Sequence, residues 1–229
     1  MKRMMYIVTV FAFISSGVLL AYDAEEIVKG DEDYLLELIM GSSTGDTIHI
    51  PSRIYLTYST LTLTGLEDVC ILFEPGAQIL LGDAYLNVLE LRSCSDVSII
   101  NGYFRHAEPL PEYDCHGGVI CLDSCFGITV DNCTVSGCGA IGIRVDESGD
   151  IVIRHCLIED NSFSAFYLNS FEDLDIMHCI VRNNGQLFYS SGREQHIDLH
   201  MRNNIIHDNN GLYFDSDEIP GLSGNNPDR

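Results

Sequence analysis

Tryptophan is absent, lysine and arginine together number only 12 against 34 aspartates and glutamates, and no apolar run after the first 21 residues is long enough to cross a membrane. Each shortage excludes something. Without tryptophan, any broad aromatic surface has to be built from tyrosine. A formal net charge of −22 leaves no basic footprint for nucleic acid or an anionic membrane. A polyanion is then held only where bound cations bridge it to the protein, and calcium is the cation expected if one is used. The missing second apolar run means no membrane partner once the first segment is removed.

That first segment has the composition of a secretory signal. Lys2 and Arg3 are basic, Met4 to Leu20 is almost wholly apolar, Ala21 suits cleavage, and Tyr22-Asp23-Ala24-Glu25-Glu26 is abruptly acidic. Residues 1–21 are therefore read as a leader, and the rest as a secreted monomer, extracellular, periplasmic or on a cell surface. The rival reading is a retained membrane anchor. All nine cysteines follow the leader, in a compartment that permits disulfides, and the odd number leaves at least one unpaired.

A period of about 23 residues organises the second half. "ITVDNCTV" begins at Ile128, "IVIRHCLI" at Ile151, "LDIMHCIV" at Leu174 and "LHMRNNII" at Leu199. Aligned, Ile128, Ile151, Leu174 and Leu199 share a column; Val130, Ile153, Ile176 and Met201 share the next; Val135, Ile158, Val181 and Ile206 share a third. Cys133, Cys156, Cys179 and Asn204 lie between the last two. Cys138, Asn161, Asn184 and Asn209 follow. A further short strand takes Ile143 and Val145, then Phe166 and Leu168, then Tyr189, then Phe214. Period-two alternation gives short strands with one buried face. Blocks that cannot bury that face alone must stack, about 4.8 Å apart. Earlier coils start at Val97 and Val69, and Thr47 to Ile50 opens the series. The coil from Val97 to Ile128 is 31 residues long and so carries an insertion. Asp31 to Met40 reads as an amphipathic helix, with Tyr34, Leu35, Leu38 and Ile39 apolar. It caps the first coil against edge pairing.

The helix, "GDTIHIP" and the coils reading I-x-V-x-N-C-x-V resemble the right-handed parallel β-helix of the pectate-lyase-like superfamily, over roughly residues 31–215. The resemblance implies an all-β, single-stranded, right-handed parallel β-helix with a short N-terminal capping α-helix. Residues 22–46 form a linker and that helix, 47–215 the coils, and 216–229 a tail. The resemblance also implies a polysaccharide partner. It does not supply a catalytic set. The Asn-Thr-Asp, Asp-Asp, Gly-His-Gly and Arg-Ile-Lys motifs of galacturonases are absent, as are the Trp-Ile-Asp-His and Arg-x-Pro-x-x-Arg patterns of pectate lyases.

Repeated residues that hold coils together are separated from those free to act. Parallel cysteine side chains in a column do not converge for a disulfide or surround a metal, so they read as a buried ladder. The asparagine column satisfies turn carbonyls. Asp96, Asp150, Asp173 and Asp198 precede strands, either as solvated turn residues or as calcium ligands. His155 and His178 stack in a turn. Counting outward from Leu91, Leu122, Val145 and Leu168 gives Glu90, Cys121, Arg144 and Tyr167, then Arg92, Asp123, Asp146 and Asn169. Asp123 and Asp146 thus lie one coil apart with Arg144 between them, a pair suited to share a proton or hold a cation. The insertion "RHAEPLPEYDCHGG" adds His106, Glu108, Glu112, Tyr113, Asp114 and His116 above that face. The expected catalytic residues are Asp123, Arg144, Asp146 and His116; the expected substrate-binding residues are Tyr167, Asn169, Tyr113 and Glu108. A lyase, an epimerase and a hydrolase remain open, as does a non-catalytic surface scaffold.

Overall fold

The computed structural model describes residues 8–12, 20–24, 30–107, 116–137, 140–190, 198–211 and 226–227. The chain divides into two compact units, Met1–Gly30 and Asp31–Arg229. In the first, Val8–Ala12 pairs antiparallel with Leu20–Ala24, the second strand crossing the end of the stretch read as a leader. Among the described residues, no helix is long and apolar enough to cross a membrane.

In the second unit the coils wind through three parallel sheets in turn, the last described coil contributing strands to the first two. Sheet one stacks Thr47–Ile50, Glu67–Phe73, Ser95–Ile100 and Phe126–Asp131, then the later halves of Ile141–Arg154 and Ser164–Met177, then Leu199–Arg202. Sheet two stacks Ile54–Thr57, Gln78–Leu81, Tyr103–His106, Thr134–Ser136, Leu157–Glu159, Ile180–Arg182 and Ile205–His207. Sheet three stacks Leu61–Thr64, Leu89–Arg92, Gly118–Asp123, the first halves of Ile141–Arg154 and Ser164–Met177, and Phe188–Tyr189. This is the expected right-handed β-helix, and the apolar columns fall in the register that the repeat implies. Ile128 pairs with Ile151, Ile151 with Leu174 and Leu174 with Leu199. All four are buried.

The helix runs from Glu32 to Met40 and buries Leu35 and Ile39. Asp31 does not cap it with its side chain. Its carboxylate instead accepts the Leu56 N–H (2.9 Å) and pairs with Arg53 (3.0 Å). The Arg53 guanidinium lies over the rings of Tyr34 and Tyr55. One arginine thus ties the cap to the first coil.

The corners explain the residues between strands. Four stacked columns have left-handed backbone. Gly45, Asp68, Asp96, Gly127, Asp150 and Asp173 form the first, with φ between 51° and 86°. Gly65, Ser93, Ser124, Glu147 and Ser170 form the second, and Asn101, Asn132, His155, His178 and Asn203 the third. Gly137, Asp160, Asn183 and Asp208 form the fourth. This region favours glycine, then asparagine and aspartate, whose short polar side chains bond locally. The aspartates before strands therefore answer a backbone demand. Among the described residues, no group of three or more histidines, cysteines or carboxylates is placed to hold a metal.

The cysteine column is a hydrogen-bonded ladder. The Cys133, Cys156 and Cys179 thiols donate to the carbonyls of Asp131, Arg154 and Met177 in their own coils, at 3.2–3.4 Å. Each also reaches a carbonyl of the preceding coil. Cys94 and Cys125 form a second ladder at the next corner, donating to Arg92 and Asp123. Burial and the neighbouring thiol push Cys156, Cys179 and Cys125 up, so they stay protonated. All seven described cysteines are free. Titration of the unfolded, unreduced protein is therefore expected to find at least seven thiols per chain. A single thiol, with the others paired, would replace the ladders by disulfides.

Asparagines complete the frame. Asn161 Nδ2 donates to Asn184 Oδ1 (2.8 Å), and Asn184 Nδ2 to Asn209 Oδ1 (2.8 Å). Cys138, expected at the head of this column, lies outside the described residues, as does Phe214.

Candidate functional site

The outer face of sheet three gathers most of the chemistry-bearing side chains. The register sets two rows. Thr62, Glu90, Cys121, Arg144, Tyr167 and Tyr189 form one row, and Thr64, Arg92, Asp123, Asp146 and Asn169 the other. Beneath them Leu91, Leu122, Val145 and Leu168 are buried, so the strands are anchored and the outer side chains stand on a fixed lattice.

Five of the eight expected site residues, Asp123, Arg144, Asp146, Tyr167 and Asn169, meet here. Arg144 does not bridge the two aspartates. Its Nη2 donates to Asp146 Oδ2 at 2.7 Å, along its own strand. Asn169 Nδ2 donates to the other oxygen at 2.6 Å. Asp146 is therefore fixed from two sides. Asp123 accepts from Ser124 Oγ at 3.1 Å, and among the described residues it forms no ion pair within 4.0 Å. Arg92 is taken by Glu90, at 2.9 Å. Cys121 sits between Glu90 and Arg144 and is buried, and burial pushes its thiol up to about 12. It is a packed thiol, not a nucleophile.

Tyr189 corrects the expected register. Phe188, not Tyr189, continues the inward column of Ile143 and Phe166. It is fully buried, its ring stacked 5.3 Å from Phe166. Tyr189 consequently faces outward beside Tyr167, with ring centroids 5.4 Å apart. Phe163, 41% exposed, stands edge-on to Tyr189 at 4.9 Å. The Arg144 guanidinium lies 5.2 Å from the Tyr167 centroid. The result is a ring surface spanning two coils, bordered by the hydrogen-bonding row.

The insertion divides differently. Its first residues are strand: His106 ends Tyr103–His106 and is fully buried, with Nε2 bonded to the Leu86 carbonyl at 2.8 Å. Burial lowers its pKa, outweighing that hydrogen bond and nearby Asp83. It is thus a neutral core histidine, not the loop acid–base group expected. His116 is exposed, with its ring 6.1 Å from that of Tyr85. It stands just before Gly118–Asp123, so nearly the whole strand separates it from Asp123. Glu108 and Tyr113, with Glu112 and Asp114, lie outside the described residues.

A histidine that folds neutral makes stability depend on pH in a definite direction. The unfolded imidazole takes a proton as pH falls through its ordinary value of 6.5, while the folded one resists it. The unfolded state then binds more protons, so stability declines below that pH. Urea midpoints between pH 7.5 and 5.5 are expected to fall in the wild type and to fall less in His106→Gln. Equal slopes would show that His106 takes up its proton in the fold.

His155 and His178 stack 5.5 Å apart with nearly parallel rings. Asp131 accepts from His155 Nδ1 and Arg154 Nε. Its partial burial opposes the charge, but these two partners outweigh it and hold its pKa down. This cluster faces a different corner and ties coils together. A recess of about 750 Å³ at the capped end is lined by Tyr34, Glu37 and Leu38 of the helix and by Asp46 and His49 at the first strand of sheet one.

Residues 87–226 match the right handed beta helix region. No curated protein matches the chain. Among solved structures, a candidate glycosyl hydrolase from Parabacteroides merdae superposes with a TM-score of 0.62 at 14% identity, over 79% of this chain and 90% of that one. Pectate lyase Pel9A gives 0.61 at 8%, over 80% and 50%. An exopolygalacturonase from Yersinia enterocolitica gives 0.61 at 11%, over 80% and 47%. The chain thus spans about half the length of these last two enzymes. At such identities the likeness is one of fold.

Proposed function

Because this chain belongs to the right-handed β-helix family, we propose that it is a secreted protein that binds a polysaccharide on the outer face of sheet three. The observation that carries the reading is the continuous ring surface of Tyr167, Tyr189 and Phe163 beside Asp123, Asp146 and Asn169. A pyranose has apolar C–H faces and a rim of hydroxyls. Aromatic rings cover the former, and carboxylate and amide groups bond the latter. An acidic surface and a leader-like first segment agree with this role outside the cytoplasm. So do fold neighbours described as a pectate lyase, an exopolygalacturonase and a tailspike in complex with a pentasaccharide.

Chemistry at this face would fall to Asp123, whose carboxylate forms no ion pair with a guanidinium among the described residues, with Asp146 one coil away. Their backbones, on adjacent rungs, lie about 4.8 Å apart, which lets the two carboxylates approach the close spacing that retaining hydrolases need. A lyase or epimerase needs a cation to quieten the substrate carboxylate, and Arg92 and Arg144 are both engaged. Binding is the better supported role, and hydrolysis through Asp123 is the second reading.

The test is retention of the purified protein on a panel of immobilised polysaccharides, with reducing ends assayed in parallel. Retention that disappears in the Tyr167→Ala/Tyr189→Ala protein is expected. Retention unchanged in that variant would remove sheet three as the binding face. Reducing ends released by the wild type but not by Asp123→Asn would establish the second reading.

A further inference from the structure

We infer that the sheet-three face selects glycan units without a carboxylate, so that its ligand is a neutral polysaccharide and not a uronate polymer. This rests on the polysaccharide-binding reading and names the substrate class for it.

Both described guanidiniums on the face are already paired with carboxylates of the protein. Among the described residues, Glu90, Asp123 and Asp146 are the carboxylates of the two outer rows, and Arg92 and Arg144 the guanidiniums. Arg92 is held by Glu90 at 2.9 Å and Arg144 by Asp146 at 2.7 Å. Asp146 cannot readily turn away, because Asn169 holds its second oxygen. Arg144 is also placed against the Tyr167 ring. A uronate reaching either guanidinium would meet the protein carboxylate already there. Two carboxylates sharing one cation repel each other. Asp123 adds a third negative group, exposed Glu147 borders it at the corner, and the whole chain stands at −22.

The aromatic surface points the same way. The face of a tyrosine ring is the negative end of its quadrupole. It accepts C–H groups and cations and repels anions. Tyr167 and Tyr189 therefore suit the C–H face of an uncharged pyranose. Each guanidinium uses one nitrogen in its ion pair, and its remaining N–H groups are suited to hydroxyl acceptors, which bring no charge. The carboxylates accept from hydroxyl donors on the same terms. Every polar group on the face has a use for a hydroxyl, and none calls for a second anion.

The experiment compares matched polymers by calorimetry in EDTA. The probes are a neutral glucan, galactan, mannan and xylan, each polymer with a primary alcohol also in its C6-oxidised form, together with polygalacturonate and its methyl ester. The expected result is that the tightest ligand is uncharged and that a carboxylate on the same backbone weakens binding at least about tenfold. Asp146→Asn releases Arg144 and is expected to narrow that gap by strengthening polygalacturonate binding. Tighter binding of a uronate polymer than of its uncharged form would overturn the inference and leave the binding reading in place. Uronate binding that appears only on adding calcium would do the same. If no polymer binds, both fall. If Asp146→Asn leaves the gap unchanged while melting like the wild type, the paired-arginine basis fails.

Discussion

Asn184→Leu is expected to destabilise the fold by about 4 kcal/mol, more than any single surface change. Asn184 Oδ1 accepts from the backbone N–H and Nδ2 of Asn161, at 3.1 and 2.8 Å. Its own Nδ2 donates to the carbonyls of Ile158 and Arg182 and to Asn209 Oδ1. The residue is 1% exposed. Leucine has nearly the same volume but returns none of these bonds. Each buried polar group left without a partner costs about 1–3 kcal/mol, and here two coils lose partners together. Asn209→Leu makes the useful comparison. That residue is half-buried and, among the described residues, bonds across coils only to Asn184 and Val181, so its loss is expected to cost less. Urea unfolding measures both. Equal and small effects would mean that the asparagine column fills space and does not clamp the coils.

The second large effect concerns binding. Tyr167→Ala with Tyr189→Ala is expected to weaken polysaccharide binding about a hundredfold. A ring packed against a sugar contributes about 1–1.5 kcal/mol, and two rings together make about 2.7 kcal/mol, which is two decades in affinity. The pair projects outward, and each ring is only part-buried. The melting temperature should therefore stay within about 3 °C of the wild type. Phe188→Ala is the contrast that guards the interpretation. Its side chain points inward and is fully buried, so losing it should cost about 3–5 kcal/mol. A double tyrosine variant that binds normally would remove the ring surface from the site. One that unfolds like Phe188→Ala would show that the rings belong to the frame.

The distance between sequence and structure differs from element to element, and the reason is register. Where coils are 23 residues long, the sequence pattern gave Ile128, Ile151 and Leu174 correctly, and Asp123, Asp146 and Asn169 with them. Where spacing changes, the columns blur. A step of 23 residues from Phe166 lands on Tyr189, but this step is 22 residues and lands on Phe188, its aromatic neighbour. Either fits an apolar column, and only pairing with Phe166 decides. Cys94 and Cys125 escaped notice because 31 residues separate them, although they do for their corner what Cys133 and Cys156 do for theirs. The pairing of Arg144 with Asp146 was invisible, since alternation says which face a side chain occupies and nothing of its rotamer. His106 looked like part of an insertion because it adjoins one, yet it pairs with Leu81 inside sheet two. The aspartates before strands read either as solvated turn residues or as calcium ligands, and the left-handed backbone angle at Asp96, Asp150 and Asp173 accounts for them as turn residues.

Those left-handed corners have a bearing on how such a chain changes over time. Two corners per coil are two residues long through most of the stack, with a left-handed residue fixed in each. The passage from sheet two to sheet three behaves otherwise. It takes four residues between Ser136 and Ile141, seven between Leu81 and Leu89, and eleven between His106 and Gly118, while the strands on either side keep their pairing. The other two seams widen only locally, from sheet one to sheet two in the first two coils and from sheet three to sheet one between Tyr189 and Leu199, whereas length varies in coil after coil at this one. That seam opens onto the edge of the face carrying Asp123, Arg144 and Tyr167. New sequence can therefore be spliced beside the proposed ligand surface without disturbing the ruler that positions it, so that this face is free to diversify while the scaffold is inherited unchanged.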